Sequence, residues 1–209
     1  MPARRTTLDH LPTDDDALLA REAALPGAAS RVIADLDLFA VLGAVGRPVL
    51  AGSSALGLMV RRDIDVTSLC PALDVDATFA VGRALAAHSR VHRLTFRNDT
   101  GSWNTDTAYP DGLYWGVAYR ADTGEDWNLD LWFIREGTTQ YDLEHLRTLV
   151  PRLDRETRVA ILRTKEALAE SPSYGREVHG YDVYTAVLDG GVRTPEGFAA
   201  WLGDRGRRT

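Results

Sequence analysis

Two aspartates, Asp63 and Asp65, flank a single isoleucine in "RRDIDVTSL". The stretch alternates as a strand, and on a strand residues i and i+2 project from the same face. Ile64 and Val66 then point the other way, toward a core. Two carboxylates side by side repel each other unless a cation lies between them. Mg2+, which takes a few carboxylates together with substrate phosphates, meets that demand. The pattern alone is cheap, because the chain holds 21 Asp and four Asp-x-Asp triplets: Asp14/Asp16, Asp35/Asp37, Asp63/Asp65 and Asp74/Asp76. The first and last stand at helix starts, where acids suit the positive end of the dipole. Asp35 and Asp37 fall in a helical stretch, where i and i+2 diverge. Only Asp63 and Asp65 share a strand face.

A third acid lies downstream. In "DWNLDLWFI", Leu129, Leu131 and Phe133 make one face, and Asn128, Asp130 and Trp132 the other. An acid in the middle of an apolar strand is costly to bury unless it is paired or metal-bound. On an edge strand it is only a solvated group. Upstream, a short apolar strand runs into Gly52-Ser53-Ser54 and a helical turn. Backbone N–H groups and two hydroxyls there suit phosphate oxygens, although the same turn also serves as a plain helix cap. It lacks the Lys of a Walker loop and the Gly-x-Gly-x-x-Gly pattern.

The elements that must carry these groups are legible in outline. Acids at 14–16 open a helix, and Ser30 can cap a second one running to about Gly43. "RPVLAG" and "RRDIDVTSL" read as strands on either side of a brief helical turn, and Asp74 caps a third helix. "RVHRLTFRN" is a strand. "LYWGVAYRA" and "EDWNLDLWFI" flank Asp-Thr-Gly-Glu as a hairpin. "LDRETRVAILRTKEALAES" is an amphipathic helix, followed by two more, the last with Pro195 in its first turn. The fold expected is α/β: a mixed-sheet core over 14–136 and a helical region over 137–205.

Bulk properties narrow the function. The 209 residues carry a net charge of −6 and are 44% hydrophobic. An acidic balance argues against wrapping long duplex nucleic acid, which runs on phosphate neutralisation by Lys and Arg. The single cysteine, Cys70, allows no internal disulfide. No run approaches the roughly 18 apolar residues of a membrane span, and "MPARRTTLDHLPTDDD" has no apolar signal region, so a cytoplasmic protein is expected. The five His lack metal-ligand spacing, and no Gly-x-Ser-x-Gly elbow supports a hydrolase. Trp103, Trp115, Trp127 and Trp132 gather around the hairpin as core or cross-strand pairs, and an exposed member could stack a base or a planar acceptor. The polar and aromatic loop "SWNTDTAYPDG" is long enough to handle an acceptor.

Gly52-Ser53, a nine-residue gap, Asp63-Ile64-Asp65 on a strand and Asp130 on a later strand resemble the nucleotidyltransferase superfamily of DNA polymerase β. The resemblance covers roughly residues 30–135. It implies a mixed sheet, two Mg2+ ions on Asp63, Asp65 and Asp130, and transfer of a nucleoside monophosphate from an NTP to an acceptor. The acceptor is left open between a small hydroxylated molecule, an RNA end and a protein. Gly52, Ser53 and Ser54 would grip the triphosphate. Many small members carry an Arg soon after Gly-Ser, where this chain has Leu56; Arg61 and Arg62 would compensate, and Arg62 is the one expected to bind the nucleotide. "KEAL", Arg176 and "YDVY" are similar to the tail of abortive-infection nucleotidyltransferase toxins, which implies nucleotide-binding roles for Lys165 and Asp182. The alternative is a catalytically silent nucleotide- or partner-binding member of the same fold.

Overall fold

The computed structural model describes residues 14–106, 109–138, 141–175 and 177–206. Helix α1 (Asp14–Asp35) opens on its three acids and continues through Pro26. The break expected at Ser30 does not occur, and its hydroxyl instead donates to the Pro26 carbonyl at 2.9 Å inside the helix. Leu18, Glu22, Ala29 and Val32 form one buried stripe on both sides of the proline, so packing carries the helix across a residue that propensity would use to end it. The turn comes later, at Asp37 with φ 45°, before α2 (Leu38–Gly43).

Strand β1 (Arg47–Ala51) leads straight into the five-residue helix α3 (Gly52–Leu56). β2 (Asp63–Cys70) follows, then α4 (Val75–Ala86), where the Asp74 carboxylate accepts the Ala77 N–H at 3.0 Å, as the sequence predicts. β3 (Val91–Asp99), β4 (Gly112–Arg120) and β5 (Asp126–Arg135) complete the sheet. Its order is β1-β2-β5-β4-β3. Only the β2–β5 pair is parallel, so the sheet is mixed. β5 is central, which removes the reading of Asp130 as a solvated edge acid.

The alternation of each strand sends Ile64, Val66, Trp115, Val117, Leu129, Leu131 and Phe133 into a core shared with α1, α2 and α4. A second core joins the C-terminal helices α5 (Tyr141–Leu149), α6 (Arg155–Ala169), α7 (Gly180–Leu188) and α8 (Pro195–Gly206). The sequence reading does not single out α5. Leu18, Leu56 and Leu58 from the first part of the chain are built into this second core, beside Ile161, Leu162 and Val183. Among the described residues, no helix is long and apolar enough to cross a membrane.

Candidate active site

The face of the sheet opposite the first core carries the acids. Register places Ala51, Asp65, Asp130 and Gly116 in one row across β1, β2, β5 and β4. Adjacent strands lie about 4.8 Å apart, so the backbones of Asp65 and Asp130 are immediate neighbours. Asp63 sits two residues back on the same face, opposite Asn128, whose side-chain amide donates to its carboxylate at 3.2 Å. The next row holds Thr67, Trp132, Tyr114 and Arg97.

Gly52 explains why the turn begins with glycine. Its φ is +58°, and a Cβ there would lie 2.1 Å from Oδ2 of Asp65. The chain can therefore bring the first turn of α3 against that carboxylate only where no side chain intervenes. Ser53 is half-buried in the same turn. Ser54 is buried, and its hydroxyl donates to the Ala51 carbonyl at 2.9 Å, bracing the strand-to-helix turn.

Asp130 is held from the β4 side. The Tyr114 hydroxyl donates to its Oδ1 in a short hydrogen bond. Tyr114 pairs with Trp132, one row away, and reaches Asp130 by leaning across Gly116, where a Cβ would meet the tyrosine oxygen at 2.7 Å. The Arg97 guanidinium lies 4.9 Å from the Tyr114 ring and 5.0 Å from the Trp132 ring, with its Nε on Asp99 at 2.8 Å. Burial raises the Asp130 carboxyl above the usual carboxylate range, and the Asp63 charge adds to it, against the hydrogen bond from Tyr114 and the charge of Arg97. Burial and the bond to Asp130 together push the Tyr114 hydroxyl far up.

The other side of the site comes from α6. Lys165 is the one lysine in the sequence, and it is 3% exposed. Its ammonium donates to the Leu58 carbonyl at 2.5 Å and lies 3.3 Å from the Tyr184 hydroxyl. Burial lowers it to about 8, opposed first by the charge of Asp65 and then by that of Asp63. Seven residues earlier, and so on the same helix face, Arg158 donates to the Leu56 and Gly57 carbonyls and pairs with Glu22 of α1 at 3.4 Å. Two cations of α6 thus hold the carbonyl end of α3, where positive charge is favoured.

The remaining sequence-predicted residues fall elsewhere. Arg62 lines a cavity of about 390 Å³ on the opposite face of the sheet, with Arg31, Asp35, Arg90 and Trp127. Arg61 instead stands over the Tyr174 ring at 4.9 Å. Burial pushes the Tyr174 hydroxyl up to about 12, and the charges of Arg61, Asp63 and Asp65 all act on it. Asp182 accepts the His179 N–H at 2.9 Å at the start of α7 and pairs with Arg205 at 3.4 Å. Arg176 lies outside the described residues. Sequence reasoning missed Tyr114, Arg97, Asn128 and Tyr174.

The donor set suits a hard cation: three carboxylates on one sheet face, with Asp130 already raised partly by the Asp63 charge. Among the described residues, no three metal-ligating side chains are drawn together into a ready cage. Mg2+ asks for less than a cage, because it binds through one or two carboxylates and completes its shell with water and substrate phosphates.

No protein-family model matches the chain, and no curated protein matches it by sequence. Solved structures do match it. A cytoplasmic RNA terminal U-transferase superposes over 82% of this chain and 53% of its own, at 16% identity and a TM-score of 0.53. The Cid1 poly(U) polymerase, solved with MgGTP bound, superposes over 83% and 50%, at 15% identity and a TM-score of 0.54. The chain thus spans about half the length of the structures it matches. Likeness at this level of identity is one of fold: the chain shares the fold of the RNA terminal U-transferase and of the poly(U) polymerase.

Proposed function

We propose that the chain transfers a nucleoside monophosphate from an NTP to an acceptor hydroxyl. One observation carries the reading: Asp65 and Asp130 are register partners on the central strands, on the face that also bears Asp63 and the glycine turn. Bound Mg2+, held by Asp63, Asp65 and Asp130, would neutralise the triphosphate and activate the acceptor hydroxyl for attack on the α-phosphorus. The chain's own groups do the rest. The amides of the turn at Gly52 and Ser53 face phosphate oxygens, and Ser54 keeps that turn closed. Lys165 and Arg61 bring positive charge to the side of Asp63 and Asp65 where a leaving pyrophosphate would gather negative charge. Tyr114 fixes the orientation of Asp130. Arg62, on the other face, has no part in this.

A second reading, a nucleotide-binding member that does not transfer, is favoured by one fact: an oxygen of Asp130 is already engaged by Tyr114. Isothermal titration with each NTP, with and without Mg2+, separates the readings when coupled to a pyrophosphate-release assay. The expected result is Mg2+-dependent binding that is lost in Asp65→Ala, with pyrophosphate release abolished in Asp130→Ala and the circular dichroism spectrum of both variants unchanged. Binding without release under any acceptor tried supports the second reading. Full Mg2+-dependent turnover in either variant overturns the assignment.

A further inference from the structure

Arg31 on α1 and Arg62, one residue ahead of β2, line the cavity of about 390 Å³ on the back of the sheet. Neither side chain makes a hydrogen bond or an ion pair among the described residues. Arg90, the third arginine of the cavity, is engaged: it pairs with Asp35 at 3.0 Å and Asp122 at 3.5 Å, and the Tyr119 hydroxyl donates to the same Asp35 at 2.6 Å. Glu125 takes the Thr123 hydroxyl. That bond above all holds its carboxyl below the usual range, with smaller help from the charges of Arg62 and Arg31. The sheet sets the ends apart. Arg62 stands at β2, Trp127 on β5, Tyr119 on β4 and Arg90 just before β3, which spreads the row over three strand spacings, about 14 Å. One end is thus a closed ionic network, and the other holds guanidinium groups with no partner.

Between the ends the cavity is apolar. Trp127 and Tyr119 are cross-strand partners and form the floor, each 2% exposed. Leu25, Ala28 and Val32 rise from α1 as one helix face, with Arg31 in step. The Trp127 indole N–H donates to no group among the described residues, which leaves one donor for a ligand. The chemistry selects a flat apolar body with one carboxylate, because two guanidinium forks suit a planar anion. A polyphosphate would bring several charges to a rim that also holds Asp122 and Glu125. A neutral ring would leave both arginines unused. The volume lies in the range of small-ligand pockets. The cavity is also tied to the acids through the backbone. Consecutive strand residues project from opposite faces, and Arg62 precedes Asp63 as Trp127 precedes Asn128. The Arg62 carbonyl accepts the Asn128 N–H at 2.9 Å, and the Asn128 side-chain amide holds the Asp63 carboxylate at 3.2 Å. Two floor-and-rim residues of the cavity and two residues of the acidic face therefore share one link of the β2–β5 ladder.

We propose that this cavity is a regulatory site for a small aromatic monocarboxylate, its ring on Trp127 and Tyr119 and its carboxylate between Arg31 and Arg62, and that its occupancy moves the Asp63–Asn128 pair on the opposite face. The binding and the movement stand by themselves; their consequence for nucleotide rests on the transferase reading above. A ligand that prefers one position of the pair shifts the pair toward it by its differential affinity. The affinity for Mg2+-NTP then changes, and bound NTP changes the affinity for the acid by the same factor.

The probe is naphthalene-2-carboxylate, with 2-naphthalenemethanol as its uncharged counterpart, each titrated calorimetrically into the full chain. Wild type is compared with Arg31→Gln, Arg62→Gln and Arg83→Gln, the last an exposed arginine of α4 outside the cavity, after all three are shown to melt like wild type. The expected result is that wild type binds the acid at least tenfold more tightly than the alcohol. Arg31→Gln and Arg62→Gln each weaken the acid at least fivefold, and Arg83→Gln stays within twofold. In 15N-labelled protein the saturating acid shifts the side-chain amide of Asn128, identified by its loss in Asn128→Ala, and Mg2+-NTP affinity changes threefold or more. If the acid does not bind, if the alcohol binds as tightly, or if the Arg31 and Arg62 variants bind as wild type does, the site is refuted. Binding that leaves the Asn128 amide unmoved, or that moves it with NTP affinity unchanged, overturns the regulatory role. If the acid binds and the amide moves in a protein that binds no Mg2+-NTP, the site stands and the transferase reading falls.

Discussion

Asp130 has one donor on it that a metal ligand does not need, and removing that donor is informative. The Tyr114 bond lowers the Asp130 carboxyl against the burial that raises it. In metal-free Tyr114→Phe, Asp130 should therefore titrate higher than in wild type, which carboxyl NMR reads directly. Transfer should slow about ten- to a hundredfold, the worth of one hydrogen bond to a charged group, with the KM for NTP unchanged. A carboxyl that titrates lower, or does not move, contradicts the bond. Lys165 gives a second reading at this scale. Between about 8 and 10.5 the unfolded chain holds a proton on this lysine that the folded chain has lost, so stability rises with pH across that window. Lys165→Met should lose that rise and melt higher than wild type at pH 7, while NTP binding weakens. A lower melting temperature would mean that the ammonium stabilises the fold. Of these residues, the Asp63/Asp65 pair was legible because strand alternation is a local property. The same parity would have chosen Arg61 over Arg62, since Arg61 is in step with Asp63 and Arg62 is not. Tyr114 demanded the hairpin register, in which Arg120 faces Asp126, Gly116 faces Asp130 and Tyr114 faces Trp132. Asp-Thr-Gly-Glu read as a symmetric turn would pair Val117 with Asp130, one residue out of the observed register, and a one-residue slip exchanges the two faces of a strand, so Tyr114 stayed hidden.

At the scale of elements, the decisive piece is the shortest. α3 has five residues, too few to be stable by itself. It is held at one end by strand β1 and at the other by cations of α6. Gly52→Ala puts a methyl group onto the Asp65 carboxylate and a side chain at φ +58°, a backbone region that costs about 1–2 kcal/mol for a non-glycine residue. The expected outcome is a melting point lowered by several degrees and, on the proposed function, transfer reduced beyond a hundredfold, because the displaced carboxylate is one that would hold Mg2+. Activity near wild type would show that Asp65 can turn away without loss. This arrangement was half legible. The glycine turn shows in the sequence, but its bracing by Arg158 and Lys165 crosses more than a hundred residues, a separation that no local pattern spans. The continuation of α1 through Pro26 escaped for a like reason, since the stripe that carries it is defined by what it packs against.

For the whole molecule, the sequence suggests a core to 136 and a helical region after it, and the packing crosses that line. Leu56 and Leu58, next to the glycine turn, are buried among α6, α7 and α8. A chain ending at Gly137 should expose them, bind a hydrophobic dye and fail to bind Mg2+-NTP; a monomeric truncated protein that bound NTP as tightly as the full chain would show the helical region to be dispensable. The composition of the molecule then bears on its chemistry with reagents and modifying enzymes. Of 24 basic side chains, 23 are arginine, and the remaining amine is sealed beneath Leu58 and Tyr184. Acylating agents, amine cross-linkers and lysine-directed tagging systems therefore find no lysine on the surface of the folded chain. Label that does enter at Lys165 marks a molecule in which α6 has parted from Leu58, and, on the proposed function, protection by Mg2+-NTP would turn an ordinary amine reagent into a gauge of occupancy.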